Sequence, residues 1–449
     1  MFCLPAAAEP LINRFSIAFT PRTFQRVLLL MVGSILSLGR HTVTGMLWTA
    51  RSLSQGHFSD YHRVFSRARW SMWPLAKVLA AMVLELVPAD QPVVCPSDDT
   101  TPQHKGKCVY GKGKHRDNCR STRSHTVWVF GHKWVVLGVN VKFLFASRAW
   151  ALPVLAALYR PKELNQKENR RHKTPADLAR QLIAVLMHWF PQRRFVLLGD
   201  GGYASHELAR FAHRHRRRLT LVSLCHPRCN LYDPPPPRRA GTNGRPRVKG
   251  AKLPSPQQVV ASSHRTRGTV GWYGGKSRHI EFVSGSGQWY KVAQGLVPIR
   301  WVFVHDLDGT HEDRYFYSTD PAMIPQQIVT LYTGRWSIEV TFQEVRRHLG
   351  FATPRSWKRN SVLRTAPCLL GLFSLVCLIY HRHTRGKGTA PAQSPWYTKR
   401  QVSFSDAITF VRRLLWQRTV FQGPIPQEVL EKLPSKLRQM LLEHLSRAA

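Results

Sequence analysis

The chain has 449 residues, with 66 Lys and Arg against 25 Asp and Glu, a formal charge of +41. Such an excess repels itself unless a polyanion is the partner, so nucleic acid is the default ligand. A hydrophobic content of 43% with 14 Trp and 21 Phe excludes a disordered basic tail, and the length allows two or three domains.

No secretory signal opens the chain, because Glu9 and two prolines interrupt the first ten residues. Residues 20–90 read as helical. Phe24, Val27, Leu28, Met31, Ile35 and Leu38 follow a helical period. Gly39-Arg40-His41-Thr42 breaks it, and Thr42 or Thr44 can cap the next helix, which carries Met46, Leu47 and Leu53. This suits a helix-turn-helix-like bundle that holds DNA ends, and equally any helical bundle. Two apolar runs, 27–38 and 366–380, fall short of the roughly 18–20 residues needed to span a bilayer and read as buried helices. The eight cysteines form no CxxC pair, and Cys225-His226-x2-Cys229 is only half of a zinc site. A cytoplasmic protein with reduced thiols, acting on the nucleoid and not on membranes, is expected.

Strands are expected from residue 91. Residues 91–95, 125–130 and 133–139 are β-branched and aromatic, with a hairpin turn at Phe130-Gly131-His132-Lys133. Residues 174–189 read as a helix, 195–198 as a strand, 206–215 as a helix and 219–223 as a strand, which implies a mixed α/β sheet. Residues 226–258 hold a proline run, then Arg238-Arg239 and Gly244-Arg-Pro-Arg-Val-Lys-Gly250, a basic loop with no hydrophobic period. Strands at 279–283, 289–292, 299–304 and 315–318 form a β-rich insertion. Residues 386–449 read as a basic tail with helices near 404–418 and 427–446. The expected division is a helical N-terminal domain at 1–90, a catalytic domain at 91–385 and the tail.

Acids are scarce, so their placement is informative. Val93-Val-Cys-Pro-Ser-Asp98-Asp99-Thr-Thr101 and Phe195-Val-Leu-Leu-Gly-Asp200-Gly-Gly each put a carboxylate at the end of an apolar strand. Tyr332-Thr-Gly-Arg335-Trp336-Ser-Ile-Glu339, continued to Arg346, reads as one helix. Tyr332, Arg335, Glu339 and Arg346 then fall within roughly 60° of one another. Ile338, Phe342, Val345 and Leu349 form an adjoining apolar stripe. A carboxylate binds a hard metal ion, whereas arginines and a tyrosine hydroxyl bind phosphate oxygens. The bland alternative is a solvated helix with an Arg335–Glu339 ion pair.

The last pattern resembles the Y-x2-R-x3-E-x6-K signature of bacterial insertion-sequence DDE transposases, with Arg346 in place of the lysine. Asp99-Thr-Thr resembles the family's first catalytic Asp motif and Leu197-Leu-Gly-Asp200 its second. Gly111-Lys-Gly-Lys-His-Arg-Asp117, Gly131-His-Lys-Trp-Val135 and Arg364-Thr-Ala-Pro367 also look like this branch. The resemblance covers roughly residues 20–385. It implies a ribonuclease-H-like α/β core with a β-rich insertion. Asp99, Asp200 and Glu339 would be the catalytic, metal-binding triad, holding two Mg²⁺ or Mn²⁺ ions. Tyr332, Arg335, Trp336 and Arg346 would contact DNA. The implied activity is cleavage of element ends at terminal inverted repeats, then 3′-hydroxyl attack on target DNA, by a homodimer. The alternative is a catalytically silent, transposase-derived DNA-binding protein. Because side chains alternate along a strand, only one of Asp98 and Asp99 can face the metal, and Asp99 is the choice by motif.

Overall fold

The computed structural model describes residues 4–117, 120–122, 124–237, 244–393, 396–417 and 433–447. Cys3, Cys119, Arg238, Arg239 and the stretch 418–432, which includes the first part of the helix expected at 427–446, lie outside the described residues.

The chain begins with α1 (Glu9–Asn13), α2 (Pro21–Leu36), α3 (Val43–Thr49), α4 (Phe58–Ser66) and α5 (Met72–Leu84). Of the two candidate caps, Thr42 is used: its Oγ1 accepts from the Gly45 amide at 3.1 Å. Helices α2 and α3 meet at Gly33, where a Cβ would lie 2.5 Å from the Met46 carbonyl, so only glycine permits this approach.

The middle of the chain runs β1 (Val93–Thr100), β2 (Gly113–Arg116), β3 (Trp128–Gly131), β4 (Lys133–Val141), β5 (Trp150–Tyr159), α6 (Lys162–Lys167), α7 (Pro175–Trp189), β6 (Phe195–Leu198), α8 (His206–Arg214) and β7 (Leu219–Leu224). The sheet order is β5-β4-β1-β6-β7. β1, β6 and β7 are mutually parallel, while β4 is antiparallel to both of its neighbours. This is the expected ribonuclease-H-like core. The insertion follows as β8 (Leu231–Tyr232), α9 (Pro256–Ser262), β9 (Thr266–Gly271), β10 (Ser277–Lys291), β11 (Gly295–Asp306) and β12 (Arg314–Ser318). β12 pairs antiparallel with β7, so the insertion extends the core sheet to ten strands and removes its open edge.

Three strand expectations change. Gly131-His132 is not a hairpin turn: β3 pairs with β2 as a separate two-stranded ribbon, and the chain runs on into β4. β5 (Trp150–Tyr159) was not among the expected strands, and it contains Pro153. The proline is tolerated at a register shift, where Gly138 faces Pro153 and Val154 is skipped. The two strands expected at 279–283 and 289–292 are one, β10, in which Gly285 sits opposite Trp301 and makes room for its indole.

The chain ends with α10 (Pro325–Gly334), α11 (Ser337–Leu349), α12 (Arg359–His383), α13 (Phe404–Leu415) and α14 (Ser435–Ser446). α12 is long and apolar enough to cross a membrane, but two-thirds of that stretch is buried inside the protein. It packs on β5, α5, α11 and α13, and its Ser374 hydroxyl donates to the Pro153 carbonyl at 2.8 Å. α13 belongs to no loose tail. Phe404, Ala407, Ile408 and Val411 join the core that α2, α5, α12 and the sheet share.

Candidate active site

β1 and β6 run side by side with Pro96 opposite Leu198, so the residues that follow them, Asp98 and Asp200, emerge at the same end of the sheet. Asp200 caps the tight turn Gly201–Tyr203; its carboxylate accepts from the Gly202 amide at 2.8 Å. Its carbonyl accepts from the Ser223 hydroxyl of β7 at 3.0 Å.

The segment carrying Arg335 and Glu339 is two helices, not one. α10 stops at Gly334, and the amides of Ile338 and Glu339 return to the carbonyls of Arg335 and Trp336, each at 3.1 Å, in a tightened turn. Across the turn Arg335 still lies over the Tyr332 ring, 5.6 Å from its centre. Tyr332 is buried against Phe316, with ring centroids 4.5 Å apart, and burial pushes its hydroxyl up to about 12. Trp336 stays 44% exposed beside Tyr273.

Arg335 is 10% exposed at its side chain and donates twice, to Asp98 Oδ2 at 2.6 Å and to Glu339 Oε1 at 2.9 Å. One cation therefore stands between a carboxylate of β1 and a carboxylate of α11. The i,i+4 ion pair of the bland reading is present, but it is one arm of this three-residue contact. Arg346, farther along α11, donates to the Thr100 hydroxyl. The two arginines of the motif thus grip the end of β1 on either side of Asp99.

Here the geometry departs from the choice of Asp99. Asp98 turns toward Arg335 and Glu339, whereas Asp99 turns to Lys133 of β4, with Nζ 3.4 Å away. The alternation of side chains along β1 decides this. Val94, two pairs of residues before Asp98, packs with Val196, Leu198 and Tyr332, and Asp98 continues that face.

The carboxylates are crowded. Burial pushes Asp98 up to about 7; Arg335 opposes this, while Asp200 and Glu339 add to it. Burial also raises Asp99 and Glu339, with Lys133 and Arg335 pulling the other way. Among the described residues no three His, Cys, Asp or Glu side chains are gathered closely enough to hold a metal ion as they stand. The expected convergence of three carboxylates is thus incomplete, since the Arg335 guanidinium holds Asp98 and Glu339 on its two sides.

A cleft of about 590 Å³ opens beside Asp200 and Arg335. Trp272, Tyr273, His311 and Trp336 line it, with Tyr273 stacked on His311 at 5.3 Å. Neither Lys133 nor the Trp272-Tyr273-His311 group was expected at the site. Lys133 lies in the Gly131-His-Lys-Trp-Val135 motif, which was its only signal, and nothing local ties the aromatic group to Asp200.

Residues 14–278, more than half of the chain, match the family model described as DDE superfamily endonuclease. The chain belongs to that family. The matched region includes Asp98, Asp99 and Asp200 and ends before Glu339. No curated protein matches the chain. Among solved structures it is similar to the cryo-EM structure of a piggyBac transposase synaptic complex with hairpin DNA. That likeness has a TM-score of 0.44 and 11% identity, over 98% of this chain and 81% of that one.

Proposed function

We propose that this DDE superfamily endonuclease is a DNA transposase that cuts element ends and joins the freed 3′ hydroxyl to target DNA. The observation that carries the reading is the Asp98–Arg335–Glu339 contact, set beside Asp200 at the end of parallel strands. Two half-buried carboxylates already flank one positive charge, and the donors are all carboxylate oxygens, the set that suits a hard divalent cation. Asp98, Asp200 and Glu339 would hold Mg²⁺, or Mn²⁺ in its place, as the expected pair of ions. When bound, such ions activate the attacking oxygen and stabilise the leaving one.

The chain's own residues do the positioning. Lys133 keeps the Asp99 carboxylate off the Asp98 side of the strand. Arg346 fixes Thr100 and so the angle at which β1 presents Asp98. Arg335, released from one carboxylate, is in reach of a phosphate oxygen at the same spot. Trp336 and the aromatic cleft exclude water and can receive a base that leaves the stack. The basic surface binds duplex DNA at terminal inverted repeats and in the target, with a homodimer bridging the two ends on the nucleoid.

Cleavage of a labelled end substrate in Mg²⁺ against EDTA tests this. The reading requires metal-dependent nicking that Asp98→Asn, Asp200→Asn and Glu339→Gln each remove. DNA binding without nicking in either buffer would favour the silent, transposase-derived DNA-binding protein.

A further inference from the structure

The β2–β3 ribbon takes no part in the site described above, and its two faces differ sharply. His115, Val129 and Gly131 are turned inward. Lys114 and Arg116 of β2 and Trp128 and Phe130 of β3 are turned outward, with Trp128 49% and Phe130 55% exposed. A strand pair that leaves two large rings in water is a recognition surface by default. The Lys114 ammonium sits 4.5 Å from the Trp128 ring centre, and the Lys112 ammonium 5.9 Å from that of Phe130. Between residues 104 and 132 the sequence holds seven Lys and Arg against one acid, Asp117, which pairs with Arg120.

The ribbon is rigidly rooted. The His104 amide donates to the Phe130 carbonyl at 2.9 Å and the His132 amide to the Pro102 carbonyl at 3.2 Å. A Cβ at Gly131 would lie 2.1 Å from the Pro102 oxygen, so the junction closes only on glycine. β3 therefore ends two residues before Lys133, held against the segment 102–104 that follows Thr100. A further exposed aromatic, Trp357, adjoins the base of the ribbon, where its carbonyl accepts from the Tyr110 amide at 3.0 Å.

We infer that the outer face of this ribbon binds an unpaired DNA strand next to the cleavage site, stacking bases on Trp128 and Phe130 while Lys112, Lys114 and Arg116 neutralise its phosphates. The inference rests on the proposed DNA-cutting function. Residues two apart on a strand are about 6.8 Å apart, twice the roughly 3.4 Å stacking distance of bases, so one base fits between the two rings. Flat rings among cations suit base faces and a single-stranded backbone.

The test is fluorescence anisotropy with the full chain in EDTA. The probes are a blunt 20-base-pair duplex and the same duplex with a six-nucleotide single-stranded overhang. Trp128→Ala/Phe130→Ala is expected to weaken binding of the overhang probe by about tenfold or more. Blunt-duplex binding should stay within about twofold, because phosphate contacts dominate it. Trp128→Tyr/Phe130→Tyr, which keeps the stacking surface, should bind like the parent and so guards against a folding defect. Equal loss on both probes, or no loss on either, overturns the inference. A chain that cuts no DNA can still show the split. Intact cutting without the split removes the ribbon and leaves the proposed function standing.

Discussion

Arg335 lies 237 residues from Asp98 in sequence and donates to its Oδ2 at 2.6 Å, with the other arm of the same guanidinium on Glu339 at 2.9 Å. Arg335→Met should leave Asp98 buried beside two other carboxylates. Breaking a buried pair in this way costs on the order of 3–5 kcal/mol. The pH dependence follows from the raised Asp98 carboxyl. Its pKa is near 7 in the folded chain against 3.8 unfolded, so folding favours its protonated form and stability rises as pH falls from about 7 toward 3.8. The penalty for Arg335→Met should therefore be largest at pH 8 and shrink at pH 5.5, as read from urea midpoints. A penalty equal at both pH values would contradict this electrostatic account.

Asp98→Asn and Asp99→Asn separate the two neighbouring carboxylates. Both proteins should bind end DNA like the parent, because most affinity comes from the 66 basic residues. Cleavage should vanish in Asp98→Asn and persist at a measurable rate in Asp99→Asn, whose partner is Lys133. Single-turnover rates on one end substrate give the order, and the reverse order would restore Asp99 to the site.

Arg346 donates to Thr100, so its charge acts on the strand that presents Asp98. Arg346→Lys keeps the charge and should be tolerated. Arg346→Ala should slow cleavage by about ten- to hundredfold, the equivalent of a charge-assisted contact of roughly 1.5–3 kcal/mol. The same rate assay reads it, and unchanged cleavage in Arg346→Ala would remove the residue from the site.

His41 is buried, and burial, helped by the Arg412 charge, lowers its pKa to about 4 from 6.5. A histidine lowered in the folded state contributes stability above pH 6.5 that is lost as pH falls toward 4. Between pH 7 and 5 the chain should lose on the order of 1–2 kcal/mol through this residue. His41→Gln should flatten that part of the stability curve, measured by denaturant midpoints at the two pH values. An equally steep curve in the variant would assign the acid sensitivity to other groups.

Arg412 is 1% exposed and donates to the carbonyls of Ile35 at 2.7 Å and of Ser37 and His348 at 3.3 Å each. It satisfies the C-terminal ends of α2 and α11 at once. Arg412→Met should destabilise the chain by about 2–4 kcal/mol, since it orphans three buried acceptors. Differential scanning calorimetry would record this as a lowered melting temperature, and an unshifted melt would refute it.

Elements with local signals were legible in the sequence. The helix expected at 174–189 is α7, which starts with Thr174 closing a capping box on Asp177. The alternation of strand and helix around Phe195 and Leu219 yielded the mixed sheet, and the apolar stripe of Ile338, Phe342, Val345 and Leu349 is buried as its spacing implied. What depended on partners was not legible. The phase of β1 against β4 and β6 sets which way Asp98 and Asp99 turn, and two adjacent aspartates carry no local trace of it. The break between α10 and α11 was hidden because Arg335 and Trp336 keep helical backbone angles through the turn. The register shift that seats Pro153 in β5 exists only once β4 is beside it.

The contact between Arg412 and Ile35 spans 377 residues. During synthesis α2 is made 377 residues before the guanidinium that closes its final turn. Until then the carbonyls of Ile35 and Ser37 have only water as partner, and the apolar side chains of α2 lack α13 against which to pack. The order of synthesis thus sets the earliest moment at which the N-terminal helices can lock, and a chain that terminates before residue 404 should accumulate as a protease-sensitive, aggregation-prone species.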